Sequence, residues 1–285
     1  MSAARRWGML PGTLSGTARC DETRRGAVAN PRRLRQRKGW AFGLCVALLE
    51  PLLLALTKRR WKGGENIPET GGCVLALNHI SHLDPLTCAH FVYAWGRIVR
   101  FLAKAEVFDV PVIGRVVRGA GQIPVYRMST DASQSFTAAV DAVKRGESVI
   151  VYPEGTITRQ PDLWPMTGKT GAARIALSSD VPVIPIAQWG AHTILPPYTK
   201  TPKLFPRKTI CMSAGPPVEL DDLRGKPLTP DVLREATNRI MGDITRLLED
   251  IRGEKAPTER FDPRKAGVSL TGNPHAAKAR GRRQA

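Results

Sequence analysis

The sequence lacks the residue arrangements that most often hold metals, dinucleotides or serine nucleophiles. Its five cysteines form no Cys-x-x-Cys pair, and its five histidines form no His-Glu-x-x-His motif. His79 and His82 have no third ligand at a familiar spacing, so no metal site is expected. A glycine-containing stretch at 119–121 starts like a dinucleotide loop but does not complete the fingerprint. The Ser-Gly pair at Ser15 has no strand before it, which argues against a serine hydrolase.

Acidic residues are scarce beside basic ones, 25 against 43, and the net charge is +18. Residues 1–38 hold ten Lys/Arg against two acidic residues, and residues 253–285 hold eight against three. Both ends have too little apolar content to offset the entropy of ordering, so we predict a disordered basic leader at 1–38 and a disordered basic tail at 253–285. Since nothing recognisable begins before Pro31, one hypothesis is that the start codon lies further downstream.

Aromatic residues make up only 6% of the chain and do not interleave with the basic ends, so nucleic acid is not expected as a partner. An anionic membrane surface is favoured because hydrophobic sequence adjoins the leader. The cysteines are scattered, and three of them lie in apolar runs where reduced cysteine packs well. A reducing, cytoplasmic setting is therefore expected. The five are Cys20, Cys45, Cys73, Cys88 and Cys211.

The apolar stretch at 40–57 is short of a simple membrane span. It is interrupted by Glu50 and Pro51, and basic residues flank both of its ends. A spanning helix needs about 20 apolar residues and usually has its basic residues on one side. We therefore predict a kinked or in-plane membrane-anchoring helix at 39–60, on the cytoplasmic face of the cell membrane. The alternative is an amphipathic helix that packs on the protein itself. A signal peptide is not indicated, because no small-residue cleavage site follows.

Strand-like and helix-like segments alternate after this stretch. Strands are predicted at 74–77, 122–126, 148–152, 183–187 and 209–213, and helices at 133–145, 167–179 and 229–253. This alternation predicts a single α/β domain at 61–252, with a mixed, largely parallel sheet flanked by helices. Functional residues in such sheets tend to lie in the loops that leave the strand ends.

His79 and Asp84 lie in such a loop, directly after the first predicted strand. Five helical positions at ~100° each leave the two side chains ~140° apart, so they can meet only if the chain turns between them. Pro85 disfavours helical geometry at Asp84, which suggests that Asp84 caps the next helix and reaches back to the imidazole. A carboxylate on one ring nitrogen fixes the tautomer and lets the other accept a proton. Alternatively, His79 is an ordinary loop residue and Asp84 only a cap.

Three further motifs follow in order. Residues 121–127 read as a short strand ending in Arg127, residues 152–156 (Tyr-Pro-Glu-Gly-Thr) follow another strand, and residues 181–186 form an apolar strand bounded by prolines. The four motifs together resemble the glycerolipid acyltransferases, specifically the 1-acylglycerol-3-phosphate acyltransferase family, over residues 61–217. The resemblance implies that His79 is a general base and Asp84 its orienting partner. A free hydroxyl of the glycerol phosphate would attack an acyl thioester, acyl-CoA or acyl-ACP, with no other cofactor.

The resemblance also implies a set of residues that bind the acceptor, lysophosphatidate or a related glycerol phosphate. A phosphate monoester carries about −1.5 to −2 charges near neutral pH and needs several donors. The family usually has an arginine directly after the threonine of the third motif, whereas Ile157 stands here and Arg159 comes two positions later. The alternatives are that the cations are solvated surface charges and that Glu154 caps a helix. The implied residues are Lys104, Arg127, Glu154, Gly155, Thr156, Arg159 and Lys169.

The implied product is phosphatidate, an intermediate of phospholipid biosynthesis. Acceptors that the motifs do not distinguish are glycerol 3-phosphate, another lysophospholipid, and an amino or sugar lipid. A hypothesis of a different class is a non-catalytic lipid-binding or membrane-tethering protein that kept the fold.

Overall fold

Seven strands and eight α-helices make up the described part of the chain. The computed structural model describes residues 32–125 and 132–270. The strands are β1 (Thr57–Lys62), β2 (Cys73–Leu77), β3 (Val99–Lys104), β4 (Ile123–Val125), β5 (Ser148–Val151), β6 (Val183–Trp189) and β7 (Lys208–Ala214). The helices are α1 (Trp40–Leu56), α2 (Asp84–Ala94), α3 (Ala105–Phe108), α4 (Ile113–Gly119), α5 (Ala132–Lys144), α6 (Gly171–Ser179), α7 (Ala191–Ile194) and α8 (Pro230–Arg252). Single 3-10 turns lie at Gly64–Asn66 and Asp221–Leu223.

The strands form one sheet in the order β1-β7-β6-β2-β5-β3-β4. Every pair is parallel except β6 and β7, which run antiparallel. The prediction of an α/β domain with a mixed, largely parallel sheet is therefore confirmed. The carboxyl ends of β2, β3, β4, β5 and β6 lie at one edge of this sheet, which brings the loops that follow them together.

The two faces of the sheet pack against different helices. Successive side chains of a strand point to opposite faces. Val74 and Ala76 of β2 accordingly pack in one hydrophobic cluster with residues of α5, α6 and α8. Leu75 and Leu77 pack in a second cluster with α2 residues such as Phe91. All five residues of β2 are buried because both faces are covered.

The helices predicted at 133–145 and 229–253 are confirmed with small shifts. Thr229 caps α8 by accepting a hydrogen bond from the backbone N–H of Val232 at 3.4 Å, and Gly253 ends the helix at a φ of 65°. The helix predicted at 167–179 begins only at Gly171. The N–H groups of Thr167 and Lys169 instead donate to the carbonyl oxygens of Phe261 and Pro153, which hold the segment extended.

Strands β1 and β3 were not predicted, and β1 changes the predicted anchor. The helix α1 ends at Leu56, so residues 57–60 belong to β1 rather than to the helical segment predicted at 39–60. Of the strand predicted at 122–126, the structure describes Ile123–Val125 as β4, and Tyr126 lies outside the described residues. Among the helices of residues 32–125 and 132–270, none has the length and apolar character needed to cross a membrane.

The described parts of the two basic ends contact the domain, and the disorder predicted for 1–38 and 253–285 stays a prediction. Arg32 donates to the carbonyl oxygens of Ile67 and Glu65, and the side chain of Gln36 accepts from the N–H of Ile98. At the other end, the N–H of Ala256 donates to Glu249 at 2.8 Å. Residues 1–31 and 271–285 lie outside the described residues.

The cysteines only partly follow the expectation of a reduced protein. Cys45, Cys73 and Cys88 are free, and the latter two are buried. Cys211 takes part in a disulfide bond, so the expectation of reduced cysteines fails at this residue.

Candidate active site

The turn at residues 78–84, which follows β2, brings His79 and Asp84 into contact as their spacing predicts. Nδ1 of His79 lies 2.8 Å from Oδ2 of Asp84. The same carboxylate oxygen accepts the backbone N–H groups of Ile80 at 2.6 Å and Ser81 at 2.8 Å. The Asp84 side chain is fully buried, whereas 16% of the His79 side chain is exposed. A carboxylate held by three donors is fixed in place, and it in turn fixes the imidazole.

The predicted capping role of Asp84 is not what the structure shows. Helix α2 begins at Asp84, its cap position is Leu83, and no side chain caps the first turn. Asp84 turns back instead and accepts N–H groups of the 78–84 turn, since the carboxylate is one residue too late to serve as the cap. Pro85 lies in the first turn of α2, where its missing N–H has no helical partner to lose.

Glu154 joins the 78–84 turn to the loop at residues 154–160, which follows β5. The backbone N–H of His79 donates to Oε1 of Glu154 at 3.0 Å, and the N–H of Met166 donates to Oε2 at 3.1 Å. In the reverse direction, the N–H of Thr158 donates to the carbonyl oxygen of His79 at 2.8 Å. The 154–160 loop therefore holds both peptide groups that flank the His79 side chain.

Burial has a large effect on the Glu154 carboxyl group. Desolvation raises its pKa from 4.5 to about 8, against the opposing effect of the hydrogen bonds from Met166 and His79. The nearby negative charge of Asp84 raises the pKa further. Glu154 is thus an acid that can hold its proton near neutral pH.

Two further contacts position the imidazole and were not predicted. The ring of Tyr152 stacks on the ring of His79, with centroids 4.3 Å apart and an angle of 23° between the planes. Asn78 and Gln188 are buried and exchange three hydrogen bonds, of 2.7 to 3.0 Å, that tie the end of β2 to β6. A polar Gln188 inside the otherwise apolar β6 was a signal in the sequence for such a contact.

The predicted acceptor-binding residues lie at different distances from His79. Gly155 has a φ of 71°, and a Cβ atom there would lie 2.8 Å from Nζ of Lys169, so Lys169 reaches the 154–160 loop. Lys104 is exposed at the end of β3, two strands or about 10 Å from β2. Arg127 lies outside the described residues.

Thr156 and Arg159 both contact Tyr198, which lies in the segment between α7 and β7. The guanidinium carbon of Arg159 lies 4.5 Å from the centre of the Tyr198 ring. The Tyr198 hydroxyl donates to the carbonyl oxygen of Ile157 at 2.8 Å and is hydrogen-bonded to the side chain of Thr156. Arg159 directly follows Thr158, whose N–H donates to the carbonyl oxygen of His79.

The comparison with known families covers most of this arrangement. Residues 58–189 match the family described as Acyltransferase, and this span contains His79, Asp84, Glu154 and Gln188 but not Tyr198. This part of the chain belongs to the acyltransferase family. Over 137 residues the chain is 35% identical to a chloroplastic 1-acyl-sn-glycerol-3-phosphate acyltransferase of Brassica napus. That match covers 47% of this chain and only 38% of the Brassica protein.

Two bacterial proteins are similar over more of this chain. A 1-acyl-sn-glycerol-3-phosphate acyltransferase of Bacillus subtilis is 24% identical over 212 residues, which are 74% of this chain and 100% of that protein. The crystal structure of the 1-acyl-sn-glycerophosphate acyltransferase PlsC from Thermotoga maritima matches with a TM-score of 0.56 and 21% identity. The aligned region covers 75% of this chain and 81% of the Thermotoga chain. At this identity the match shows a shared fold.

His90 and His192 have structural surroundings. Burial lowers the pKa of His90 to about 4 and that of His192 to about 4, with nearby arginines adding to the effect. The His90 ring packs edge-on against Trp61, and the His192 ring packs against Trp189. Within residues 32–125 and 132–270, no group of three His, Cys, Asp or Glu side chains is arranged to hold a metal ion.

Proposed function

We propose that this chain transfers an acyl group from an acyl thioester to the free hydroxyl of 1-acylglycerol 3-phosphate, giving phosphatidate. The observation that carries the proposal is the 2.8 Å contact between His79 Nδ1 and Oδ2 of the buried Asp84. It leaves Nε2 of a partly exposed imidazole as the atom that can take a proton. The similarity to relatives named 1-acyl-sn-glycerol-3-phosphate acyltransferase supports the choice of acceptor.

The reaction follows from the properties of this pair. His79 Nε2 takes the proton of the acceptor hydroxyl while the hydroxyl oxygen attacks the thioester carbonyl carbon. Asp84 stabilises the imidazolium that forms. The tetrahedral intermediate then expels the thiolate, the C–S bond breaks, and the imidazolium returns its proton to the departing sulfur. The free thiol and the new ester are the products, and His79 is ready for another cycle.

Cations near the 154–160 loop support an acceptor that carries a phosphate. Lys169 and Arg159 lie in or against this loop, next to the general base. An arginine fork matches two phosphate oxygens, and a lysine adds a point charge. We propose Arg127 and Lys104 as further phosphate contacts from the same sheet edge, as the resemblance implies.

We further propose that α1 lies on an anionic membrane surface. Large apolar side chains are exposed along α1 at every fourth position, and Leu48 is 65% exposed. Strand β1 follows directly with exposed basic residues, each of which would be attracted to anionic headgroups by about 1 kcal/mol. Phe205, 78% exposed, lies two residues before Arg207, which donates to carbonyl oxygens at the end of α1. The exposed large apolar residues on α1 are Trp40, Leu44, Leu48 and Leu52, which are four positions apart, and also Leu54.

The test uses the purified full chain with lysophosphatidate and acyl-CoA in mixed micelles, following both free thiol and phosphatidate. Wild-type protein should release one thiol for each phosphatidate formed. His79→Ala should lower kcat by about 10²- to 10⁴-fold, because general base catalysis is worth that much. The matched control is His82→Ala, an exposed histidine three positions away, which should retain wild-type kcat.

The same assay separates the remaining candidates. Phosphatidate formation that His79→Ala leaves unchanged would rule out the assigned base. Thiol release from acyl-CoA in the presence of glycerol 3-phosphate, another lysophospholipid or an amino or sugar lipid, but not in the presence of lysophosphatidate, would identify that compound as the acceptor. Binding of lysophosphatidate without release of thiol from any donor would indicate a lipid-binding protein instead.

A further inference from the structure

Tyr198 has a backbone conformation that a bulky residue rarely adopts. Its φ of 62° lies in the left-handed region, which favours glycine and asparagine. Such a conformation persists only where the surrounding structure fixes it, and it is enriched at functional sites. The contacts of the Tyr198 side chain therefore need an explanation.

Both ends of the Tyr198 side chain contact the 154–160 loop. The hydroxyl donates to the carbonyl oxygen of Ile157 at 2.8 Å and bonds to the Thr156 side chain. Burial raises the pKa of this phenol, which therefore stays protonated and able to donate. The ring face carries the guanidinium of Arg159 at 4.5 Å, and Arg159 is only 9% exposed.

The segment that contains Tyr198 is also attached to the 78–84 turn. The hydroxyl of Ser81 donates to the carbonyl oxygen of Leu195 at 2.8 Å. Thr158, the neighbour of Arg159, donates its N–H to the carbonyl oxygen of His79. The Arg159–Tyr198 stack is therefore joined to the general base from both sides, through Thr158 and through Ser81.

Arg159 is the only basic residue in the sequence of the 154–160 loop, since Ile157 is apolar, 2% exposed and packed in the interior. We propose that Tyr198 is a positioning residue that presents Arg159 to the acceptor's phosphate. The inference rests on the proposed function and deepens it by naming the phosphate ligand and its support.

The geometry of stacking suits this role. An aromatic ring attracts a guanidinium through its face, whereas all five N–H donors of the guanidinium lie in its plane. A stacked arginine is thus fixed in orientation without using the donors that match phosphate oxygens. A lysine in its place would keep the charge but lose the planar fork.

The kinetic test compares four variants with lysophosphatidate and acyl-CoA. Tyr198→Leu and Arg159→Lys should each raise the KM for lysophosphatidate about tenfold, the change expected from losing a partly buried cation–π contact. The kcat and the KM for acyl-CoA should stay within twofold of wild type. Tyr198→Phe keeps the ring and should have a much smaller effect. The double variant should be no worse than either single one, because each change breaks the same contact.

Several kinetic results would overturn the inference. One is an unchanged KM for lysophosphatidate in Tyr198→Leu. Another is a rise in the KM for acyl-CoA alone. A third is a double variant whose effect on the KM for lysophosphatidate equals the combined effects of the two single variants. Equal effects on lysophosphatidate and on a monoacylglycerol of the same chain, which lacks the phosphate, would also contradict it. Thermal unfolding of each variant shows whether the fold is retained, and Arg159→Lys serves if Tyr198→Leu does not fold.

A binding test keeps this inference separate from the proposed function. Glycerol 3-phosphate should raise the melting temperature of wild-type protein and of His79→Ala, and glycerol should not. In Tyr198→Leu and Arg159→Lys, the glycerol 3-phosphate concentration that gives half of the rise in melting temperature should increase about tenfold. A wild-type response in both variants would refute the role of the stack. Absence of phosphatidate formation by wild type, with the binding pattern intact, would refute only the proposed reaction.

Discussion

Glu154 is the side chain whose charge state most affects the candidate site. Its two oxygens accept hydrogen bonds from the backbone N–H groups of His79 and Met166. The resemblance implies that Glu154 binds the acceptor, and that role would need the same two oxygens. With both oxygens bonded inside the protein, Glu154 holds the backbone N–H groups of His79 and Met166 in place. Its burial makes this arrangement sensitive to pH.

The stability of the protein should depend on pH through Glu154. Its pKa is about 8 in the folded protein and 4.5 in the unfolded chain, so the folded state binds more protons between these values. Stability should therefore fall as the pH rises from about 4.5 to about 8, and level off above that. Urea unfolding of wild type and Glu154→Gln from pH 5 to 9 tests this, because the glutamine variant should lose much of the slope.

Glu106→Gln, a change at an exposed carboxylate, is the control and should keep the wild-type slope. An identical pH dependence for wild type and Glu154→Gln would show that the Glu154 carboxyl group does not titrate in this range.

Single residues of the site differ in how far the sequence could predict them. The contact of His79 with Asp84 follows from their spacing and from Pro85, both of which are local. The contacts of Tyr198 and Gln188 are not local, since they join residues 41 to 110 positions apart. No pattern along the chain encodes such a pairing, and a polar residue in an apolar strand is only a hint of one.

Among the secondary-structure elements, the edge of the sheet opposite the site is held by one buried arginine. Arg97 is 1% exposed and donates to the carbonyl oxygens of Pro68, Gly71 and Gly146 at 2.5 to 2.9 Å. These carbonyls precede β2 and β5, the two strands that carry His79 and Glu154 at their other ends. Arg97 therefore fixes both strands from the far side of the sheet.

Removing this arginine should affect stability rather than chemistry. Arg97→Leu should lower the free energy of unfolding by about 2–4 kcal/mol, because partly buried carbonyl groups lose their charged donor. The KM values of the protein that remains folded should be unchanged, since the site lies at the opposite edge. Arg118→Leu, at an exposed arginine of α4, is the control and should change stability little. A stable Arg97→Leu protein with altered KM values would contradict this division.

The elements missed from the sequence share a physical cause. The residues of β1 are mostly charged and exposed because β1 is an edge strand, and its pairing with β7 comes from distant sequence. Strand β3 shows no regular alternation of polar and apolar residues. The long helix α8 was predicted almost to the residue, because its caps and its apolar spacing are local.

The protein has a net positive charge and a row of exposed apolar side chains on α1. Together these features predict that it binds to an anionic lipid surface. Leu48→Glu should reduce sedimentation with anionic vesicles about tenfold, because it removes an exposed leucine that would enter the lipid and adds a charge that anionic headgroups repel. Binding of wild type should also weaken at high salt, since exposed charges are screened.

The control is Leu228→Glu, at an exposed leucine just before α8 and away from α1. It should sediment with vesicles as wild type does. If both variants lose vesicle binding equally, the cause is the change in net charge. If both keep wild-type vesicle binding, α1 does not contact lipid.

The reciprocal hydrogen bonds between the His79 peptide groups and the 154–160 loop have a consequence for protein engineering. The two segments form one interlocked unit, although 75 positions separate them along the chain. Transplanting either segment alone from a homologue with another acceptor preference would leave mismatched partners. Libraries that exchange both segments together should recover active chimaeras far more often.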